Sequence, residues 1–177
     1  LTPVKINKVL LRVFNEDEIL AFAELTRLSP IDVRFIEHMP TRFGRRSYDD
    51  LFFSSYKAKE ICGRLGRLVS VNYGEKSAAR AYRIDGFRGT IGFISPMSEP
   101  FCQSCNKLRL TADGFLKSCL HSPQGIDLNK AMREEITDEG LGLLIEEAVA
   151  AKPASHNLSI LPLGRDSENF SMCQIGG

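Results

Sequence analysis

The chain begins with two β-prone segments separated by an amphipathic helical segment. Residues 3–13 are dense in branched apolar side chains, as is typical of a strand buried on both faces. Asn15 and the three acidic residues after it predict a capped first helical turn, and Ser29-Pro30 ends that helix. Residues 33–39 predict a second strand. Strand, helix and strand at this spacing predict a βαβ unit with parallel neighbouring strands, which looks like the tail end of a larger parallel sheet.

The second half of the chain has a different pattern. A polar, arginine-rich segment over 40–54 is interpreted as a loop, and a helix is predicted over 55–64. Short β-prone runs divided by glycines then predict antiparallel strands, at 68–73, 78–84 and 90–94. The Asp113-Gly114 pair predicts a β-hairpin between 108–111 and 115–119. Two helices complete the pattern, one over 128–135 and one capped by Thr137.

Composition excludes several classes of protein. The sequence has 177 residues and a formal net charge of +1, which argues against bulk electrostatic binding of nucleic acid or of an acidic membrane surface. It contains neither an apolar run of 18 residues nor a charged-then-apolar leader. Five cysteines, an odd number, favour metal-binding thiols in a reducing compartment over a disulfide framework. We expect a cytoplasmic protein, or a mitochondrial one in a eukaryote.

Three of the cysteines form the most informative motif. Cys102, Cys105 and Cys119 follow the pattern C-x2-C-x13-C, with the predicted hairpin between the second and the third. Two thiolates three residues apart can bind one metal centre, and a strand-turn-strand return can bring the third to the same point. A structural zinc site closes with four protein ligands, whereas three thiolates leave one position open.

The residues alone leave two kinds of metal site possible. His121 could complete a Cys3His zinc site, which would make the chain a small zinc-stabilised binding module. Alternatively, three thiolates could hold a [4Fe–4S] cluster whose fourth iron stays available to a ligand. Lys107 and Arg109 alternate along the predicted strand after Cys105, so we expect both side chains on the face of Cys105. Two cations beside such a cluster suit an anionic ligand such as a nucleotide.

A family resemblance bears on this choice. The stretch from Gly92 to Leu120, with its three cysteines and its Asn-Lys-Leu-Arg-Leu-Thr-Ala-Asp-Gly run, closely resembles the C-terminal cluster region of the GTP 3′,8-cyclases, a family of radical S-adenosylmethionine enzymes. Pro3-Val-Lys-Ile-Asn and Val33-Arg-Phe-Ile-Glu-His-Met-Pro resemble two barrel strands of that family. The terminal Gly176-Gly177 is similar to its double-glycine tail. Another radical enzyme with an auxiliary cluster would share the cysteines but not the Asn106–Gly114 run.

The resemblance implies a fold and an activity. Residues 1–66 would be the last two βα units of an incomplete TIM-like barrel, and residues 67–177 a C-terminal α+β domain with antiparallel strands. The family rearranges GTP to (8S)-3′,8-cyclo-7,8-dihydroguanosine 5′-triphosphate in molybdenum cofactor biosynthesis. An N-terminal [4Fe–4S] cluster generates the radical from S-adenosylmethionine. The expected partners are GTP, a second copy of the chain in a homodimer, and the downstream cyclic pyranopterin monophosphate synthase.

The resemblance also implies roles for individual residues. Cys102, Cys105 and Cys119 would hold the auxiliary cluster, whose open iron binds the purine. Met39 would contact S-adenosylmethionine. The GTP-binding positions would be Lys5, Lys107, Leu108 and Arg109. Lys107 stands where the family usually has arginine, so it keeps the charge but loses the planar fork for bidentate phosphate contact.

One expected motif is absent from the sequence. There is no C-x3-C-x2-C, which holds the radical-generating cluster in that family. We therefore expect the chain to be the C-terminal part of the enzyme and to be inactive alone. We also expect its first strand to present an unpaired edge. Cys62 and Cys173 are interpreted as non-ligands, Cys62 as a small core residue.

Overall fold

A computed structural model describes residues 4–40, 48–72, 77–122 and 125–156 of the chain. These residues fall into two compact units. The first comprises the described residues up to Met39 and from Tyr48 to Phe101, and the second comprises Pro40 and the described residues from Cys102 onward. The first unit therefore extends past the domain boundary predicted between residues 66 and 67. The division of the chain into two domains at that boundary stays a prediction. Gly176, Gly177 and Cys173 lie outside the described residues.

The first unit is built on a five-stranded mixed sheet. Its strands lie in the order β1-β2-β5-β4-β3, where the first three are parallel and the last two antiparallel to their neighbours. They span Lys5–Leu10 (β1), Asp32–Glu37 (β2), Leu68–Val71 (β3), Arg80–Ile84 (β4) and Thr90–Ile94 (β5). The predicted βαβ unit and antiparallel strands are confirmed. The parallel pairing of β5 with β2 was not predicted.

Three helices complete the first unit: α1 (Ile19–Glu24), α2 (Tyr48–Leu51) and α3 (Ser55–Cys62). The helix α2 corrects part of the predicted loop over 40–54. The core lies between the sheet and the helices, where Phe35 of β2 stacks on Phe93 of β5 with ring centroids 5.8 Å apart. Ala23 of α1 and Ala58 of α3 are buried in the same cluster because their small side chains allow close packing.

Strand β1 differs from its prediction in two respects. It ends at Leu10 and not at Val13. Val13, the last residue of the predicted strand, has a positive φ of 70° and is 81% exposed. It also alternates between buried and exposed positions instead of being buried on both faces. Among the described residues β1 is the edge strand of the sheet, as expected. Its alternation arises because Leu10 packs into the core on one face, whereas Val9 on the opposite face is 44% exposed.

Asn15 occupies the predicted N-cap position and is followed by the predicted acidic first turn, but the predicted side-chain cap is wrong. Its side chain makes no capping bond to the 3-10 turn Glu16–Glu18 that follows. Instead Oδ1 accepts a hydrogen bond from the Leu11 amide at 2.9 Å, and Nδ2 donates to the Val9 carbonyl at 2.9 Å. Asn15 therefore closes the turn that leaves β1, because a short amide side chain can pair with nearby backbone as readily as with a helix terminus.

The second unit contains a three-stranded antiparallel sheet and two helices. The strands are β6 (Arg109–Leu110), β7 (Phe115–Lys117) and β8 (Ile126–Asp127), in that order, and the helices are α4 (Leu128–Arg133) and α5 (Asp138–Ala150). The Thr137 hydroxyl caps α5 by accepting from the Gly140 amide at 3.1 Å, as predicted. The chain is thus a mixed α/β protein with one mixed sheet and one separate antiparallel sheet.

Candidate functional site

Cys102 and Cys105 lie on one tight turn. Residues Cys102–Ser104 form a single 3-10 turn, and the Cys105 amide donates to the Cys102 carbonyl at 3.1 Å. Both thiols are free of disulfides and partly buried. A C-x2-C pair on such a turn is the usual way for two thiolates to reach one metal centre.

The hairpin between Cys105 and Cys119 is confirmed. Arg109 pairs with Lys117 and Leu110 with Leu116. Thr111 closes the turn, since its hydroxyl accepts from the Phe115 amide at 2.9 Å and its carbonyl from the Gly114 amide at 3.0 Å. Gly114 has a φ of 91°, a conformation that favours glycine. Strand β7 therefore runs back along β6 toward the end of the hairpin at which Cys105 lies. Cys119 follows two residues beyond β7.

The donor chemistry of this segment fits a thiophilic metal or an iron–sulfur cluster. Three partly buried free thiols, two on one turn and one after the hairpin, supply the ligand types that such centres use. Among the described residues, however, no three or more His, Cys, Asp or Glu side chains are grouped closely enough to hold a metal ion. His121, the fourth ligand of the zinc alternative, makes an edge contact with the ring of His156, with centroids 5.9 Å apart.

The segment after Cys105 is less regular than predicted. Residues 105–108 lie outside any strand, and β6 begins only at Arg109. The alternation of strand side chains therefore does not apply to Lys107, and the predicted common face of Cys105, Lys107 and Arg109 loses its basis. Lys107 is exposed, whereas Leu108 and Arg109 are partly buried.

Lys5 lies on a cationic cleft of the first unit, with a volume of about 510 Å³. The cleft is bounded by the first residues of three parallel strands and by arginines from neighbouring segments; its charged lining residues are Lys5, Asp32, Arg34, Arg83 and Arg88. The carboxylate among these residues, Asp32, accepts from Arg34 Nε at 2.8 Å and from Thr90 Oγ1 at 3.3 Å. With one acidic and four basic side chains among the described residues that line it, the cleft suits a polyanion.

Met39 follows β2 and is partly buried. Two residues before it, the buried Glu37 accepts hydrogen bonds from the amides of Ser55, Met97 and Ser98 at 2.9, 3.0 and 2.9 Å. The hydroxyls of Ser55 and Ser98 also donate to it. Glu37 thus ties β2 to the start of α3 and to the loop that runs on toward Cys102.

Sequence reasoning missed Glu37 as an organising residue. A signal was present, since a glutamate stands inside the predicted strand Val-Arg-Phe-Ile-Glu-His-Met, and a buried carboxylate requires donors. The partners themselves, 18 to 61 residues away, left no signal in the local pattern.

Burial changes the pKa of several groups near these residues. It raises the pKa of the Cys62 thiol to about 12, so this cysteine stays protonated and is a core residue, as predicted. Burial, with a smaller effect of Glu37, raises the pKa of Tyr48 to about 12. Burial also lowers the pKa of His38, because the charged imidazolium loses hydration. None of the helices in the described ranges has the length and apolar character needed to cross a membrane.

These features define an α/β protein with a thiol-rich hairpin and a separate cationic cleft. Residues 31–158 match the family model "Molybdenum Cofactor Synthesis C", and the chain belongs to that family. Curated relatives named GTP 3′,8-cyclase match essentially the whole chain. The protein from Alkaliphilus metalliredigens is 42% identical over 177 residues, which is 100% of this chain and 53% of the relative.

Other relatives give the same result. The GTP 3′,8-cyclase of Clostridium perfringens strain SM101 is 39% identical and covers 98% of this chain with 53% of its own length. That of Moorella thermoacetica is 40% identical and covers 100% of this chain with 54% of its own length. The chain therefore spans about half the length of the curated relatives it matches.

Proposed function

We propose that this chain is the C-terminal part of a radical S-adenosylmethionine GTP 3′,8-cyclase and supplies its auxiliary cluster and much of its GTP site. The observation that carries the proposal is the C-x2-C-x13-C motif, whose thiols are free and whose hairpin has formed, in a chain about 40% identical to proteins of that name. The product would be the 3′,8-cyclised dihydroguanosine triphosphate of molybdenum cofactor biosynthesis.

In this proposal Cys102, Cys105 and Cys119 hold a [4Fe–4S] cluster. When bound, the cluster supplies one iron without a protein ligand, which can take the purine of GTP. The residues Lys107, Leu108 and Arg109 then contact the nucleotide beside it. The partly buried Arg109 is held in the ladder by Lys117, which fixes the backbone from which its guanidinium extends.

The cationic cleft gives Lys5 a role in binding the triphosphate. Lys5 lies there with Arg34, Arg83 and Arg88, and Arg34 also neutralises Asp32, the carboxylate of the cleft. A triphosphate bound in the cleft would lie against side chains with a net positive charge, which would balance its own negative charge. This local balance does not require a large net positive charge on the whole protein.

The remaining parts of the proposal concern the rest of the enzyme. The parallel pair β1–β2 with α1 would be the last part of an incomplete TIM-like barrel, which is supported by the position of β1 at the edge of the sheet. Met39, just beyond β2, would contact S-adenosylmethionine, while the radical-generating [4Fe–4S] cluster would be held by residues that this sequence does not contain. We further propose a cytoplasmic homodimer whose product passes to a cyclic pyranopterin monophosphate synthase.

Replacing Lys5 with glutamine tests the GTP assignment. Because a charge-assisted hydrogen bond contributes about 1.5–3 kcal/mol, we expect the Kd for GTP to rise roughly 10- to 100-fold. The measurement is calorimetric titration of GTP into the full natural protein, purified anaerobically. Lys57→Gln is the matched control, since Lys57 is exposed on α3 outside the cleft. An unchanged Kd for Lys5→Gln would refute this role.

A further inference from the structure

We propose that Lys152 is a positioning residue that holds together the two chain segments that carry Cys105 and Cys119. This inference rests on the proposed cluster site. Lys152 lies two residues beyond the end of α5. Its ammonium group donates to the Lys107 carbonyl at 2.8 Å and to the Ser118 carbonyl at 2.6 Å.

The two acceptors are placed next to the proposed ligands. Lys107 follows Cys105 by two residues, and Ser118 immediately precedes Cys119. They are 45 and 34 residues from Lys152 in the chain, so these bonds join three separate segments of the second unit. A single ammonium with three hydrogens can bridge two carbonyls and keep one further donor.

The hairpin ladder does not extend to these positions. Its pairs are Arg109 with Lys117 and Leu110 with Leu116, and both lie on the turn side of the carbonyls that Lys152 binds. Two pairs make a short ladder, whose open end faces the cysteines. The Lys152 ammonium joins the two segments at this open end, where the ladder stops.

A second lysine acts on the other side of Cys119. The side chain of Lys117 is 1% exposed, and its ammonium donates to the Leu120 carbonyl at 3.3 Å. The carbonyls of Ser118 and Leu120, the two residues next to Cys119 in the chain, therefore each accept a hydrogen bond from a lysine. Fixing the backbone on both sides limits where the Cys119 sulfur can lie, which is how supporting contacts pre-organise a metal ligand.

The test compares the Lys152→Met variant with the unmodified protein, and both are expressed as the full natural chain. Methionine keeps most of the side-chain length but removes every donor, which leaves both carbonyls without this partner. In the metal-free protein we expect amide hydrogen exchange over 105–109 and 117–121 to accelerate about tenfold or more. After anaerobic reconstitution we expect at least a twofold loss of the iron bound at the auxiliary site, partly restored in Lys152→Arg, whose guanidinium also donates to carbonyls.

Two control variants separate positioning from general stability. Thr137→Ala removes the N-cap of α5 and should lower the unfolding temperature while leaving iron content unchanged. Lys130→Met removes an exposed lysine of the same unit and should change neither.

Each outcome bears on one claim. Unchanged exchange in Lys152→Met, or the same iron content as the unmodified protein, would overturn the positioning role alone. Iron loss in Thr137→Ala as large as in Lys152→Met would reduce Lys152 to an ordinary stabilising contact. An unmodified protein whose auxiliary site takes up no iron would overturn the proposed function, and the positioning role with it.

Discussion

Replacing Cys102, Cys105 or Cys119 with alanine is expected to abolish cyclisation of GTP and to remove most of the iron bound at the auxiliary site. Two thiolates do not hold a [4Fe–4S] cluster stably, so each single variant should fall from about four irons at this site to less than about one. Iron and sulfide analysis after anaerobic reconstitution, with product assay in the complete enzyme, measures both effects.

Cys62→Ala is the matched control for these variants. Cys62 is fully buried in the core of the first unit, and its raised pKa keeps the thiol protonated at neutral pH. Its removal should therefore leave the iron count unchanged and lower only the stability, by about 1 kcal/mol for a small cavity. Full iron content in all three motif variants, or iron loss in Cys62→Ala alone, would refute the assignment of the cluster ligands.

Replacing Glu37 with alanine is expected to produce the largest loss of stability among single substitutions in the first unit. Five donors converge on this carboxylate, which is 1% exposed. Its removal would leave three amides of two segments, Ser55 in one and Met97 and Ser98 in the other, without their acceptor. A loss of about 3–5 kcal/mol in the free energy of unfolding is expected, since breaking a buried charged network costs this much.

Urea denaturation followed by circular dichroism measures this loss, with Glu99→Gln as its control. Glu99 is half-exposed and paired with Arg80 at the surface, so its neutralisation should change the free energy of unfolding by about 1 kcal/mol or less. A Glu37→Ala protein as stable as the Glu99→Gln protein would mean that the network around Glu37 contributes little.

The parts of the fold that follow from short-range chemistry were predicted from the sequence. Asp113-Gly114 determines the hairpin because glycine accepts the backbone angles that the turn requires. Thr137 predicts the start of α5 because its hydroxyl reaches an amide three residues later. The parallel pair β1–β2 follows from strand, helix and strand spacing.

The features that were missed depend on partners far apart in the sequence or on competition between near ones. Pairing of β5 with β2 joins residues 58 positions apart, as at Asp32 and Thr90, and local pattern carries no information on such partners. Asn15 was assigned to the wrong neighbour because backbone of β1 and backbone of the helix compete for one amide side chain.

The same distinction holds for the candidate site. The three candidate cysteine ligands stand out in the sequence because metal coordination requires particular residue types at particular spacings. Lys152 was missed because it binds backbone carbonyls, which every residue possesses, and so its partners leave no signature in the sequence.

The central claim is that three thiolates hold an iron–sulfur cluster with an iron that GTP can reach. The most direct test is anaerobic reconstitution of this chain with iron and sulfide, followed by iron counting and EPR spectroscopy with and without GTP. The account predicts about four irons per chain and an EPR signal that changes when GTP is added. Stoichiometric zinc without an iron signal would contradict it and would make Cys102, Cys105, Cys119 and His121 a structural zinc site.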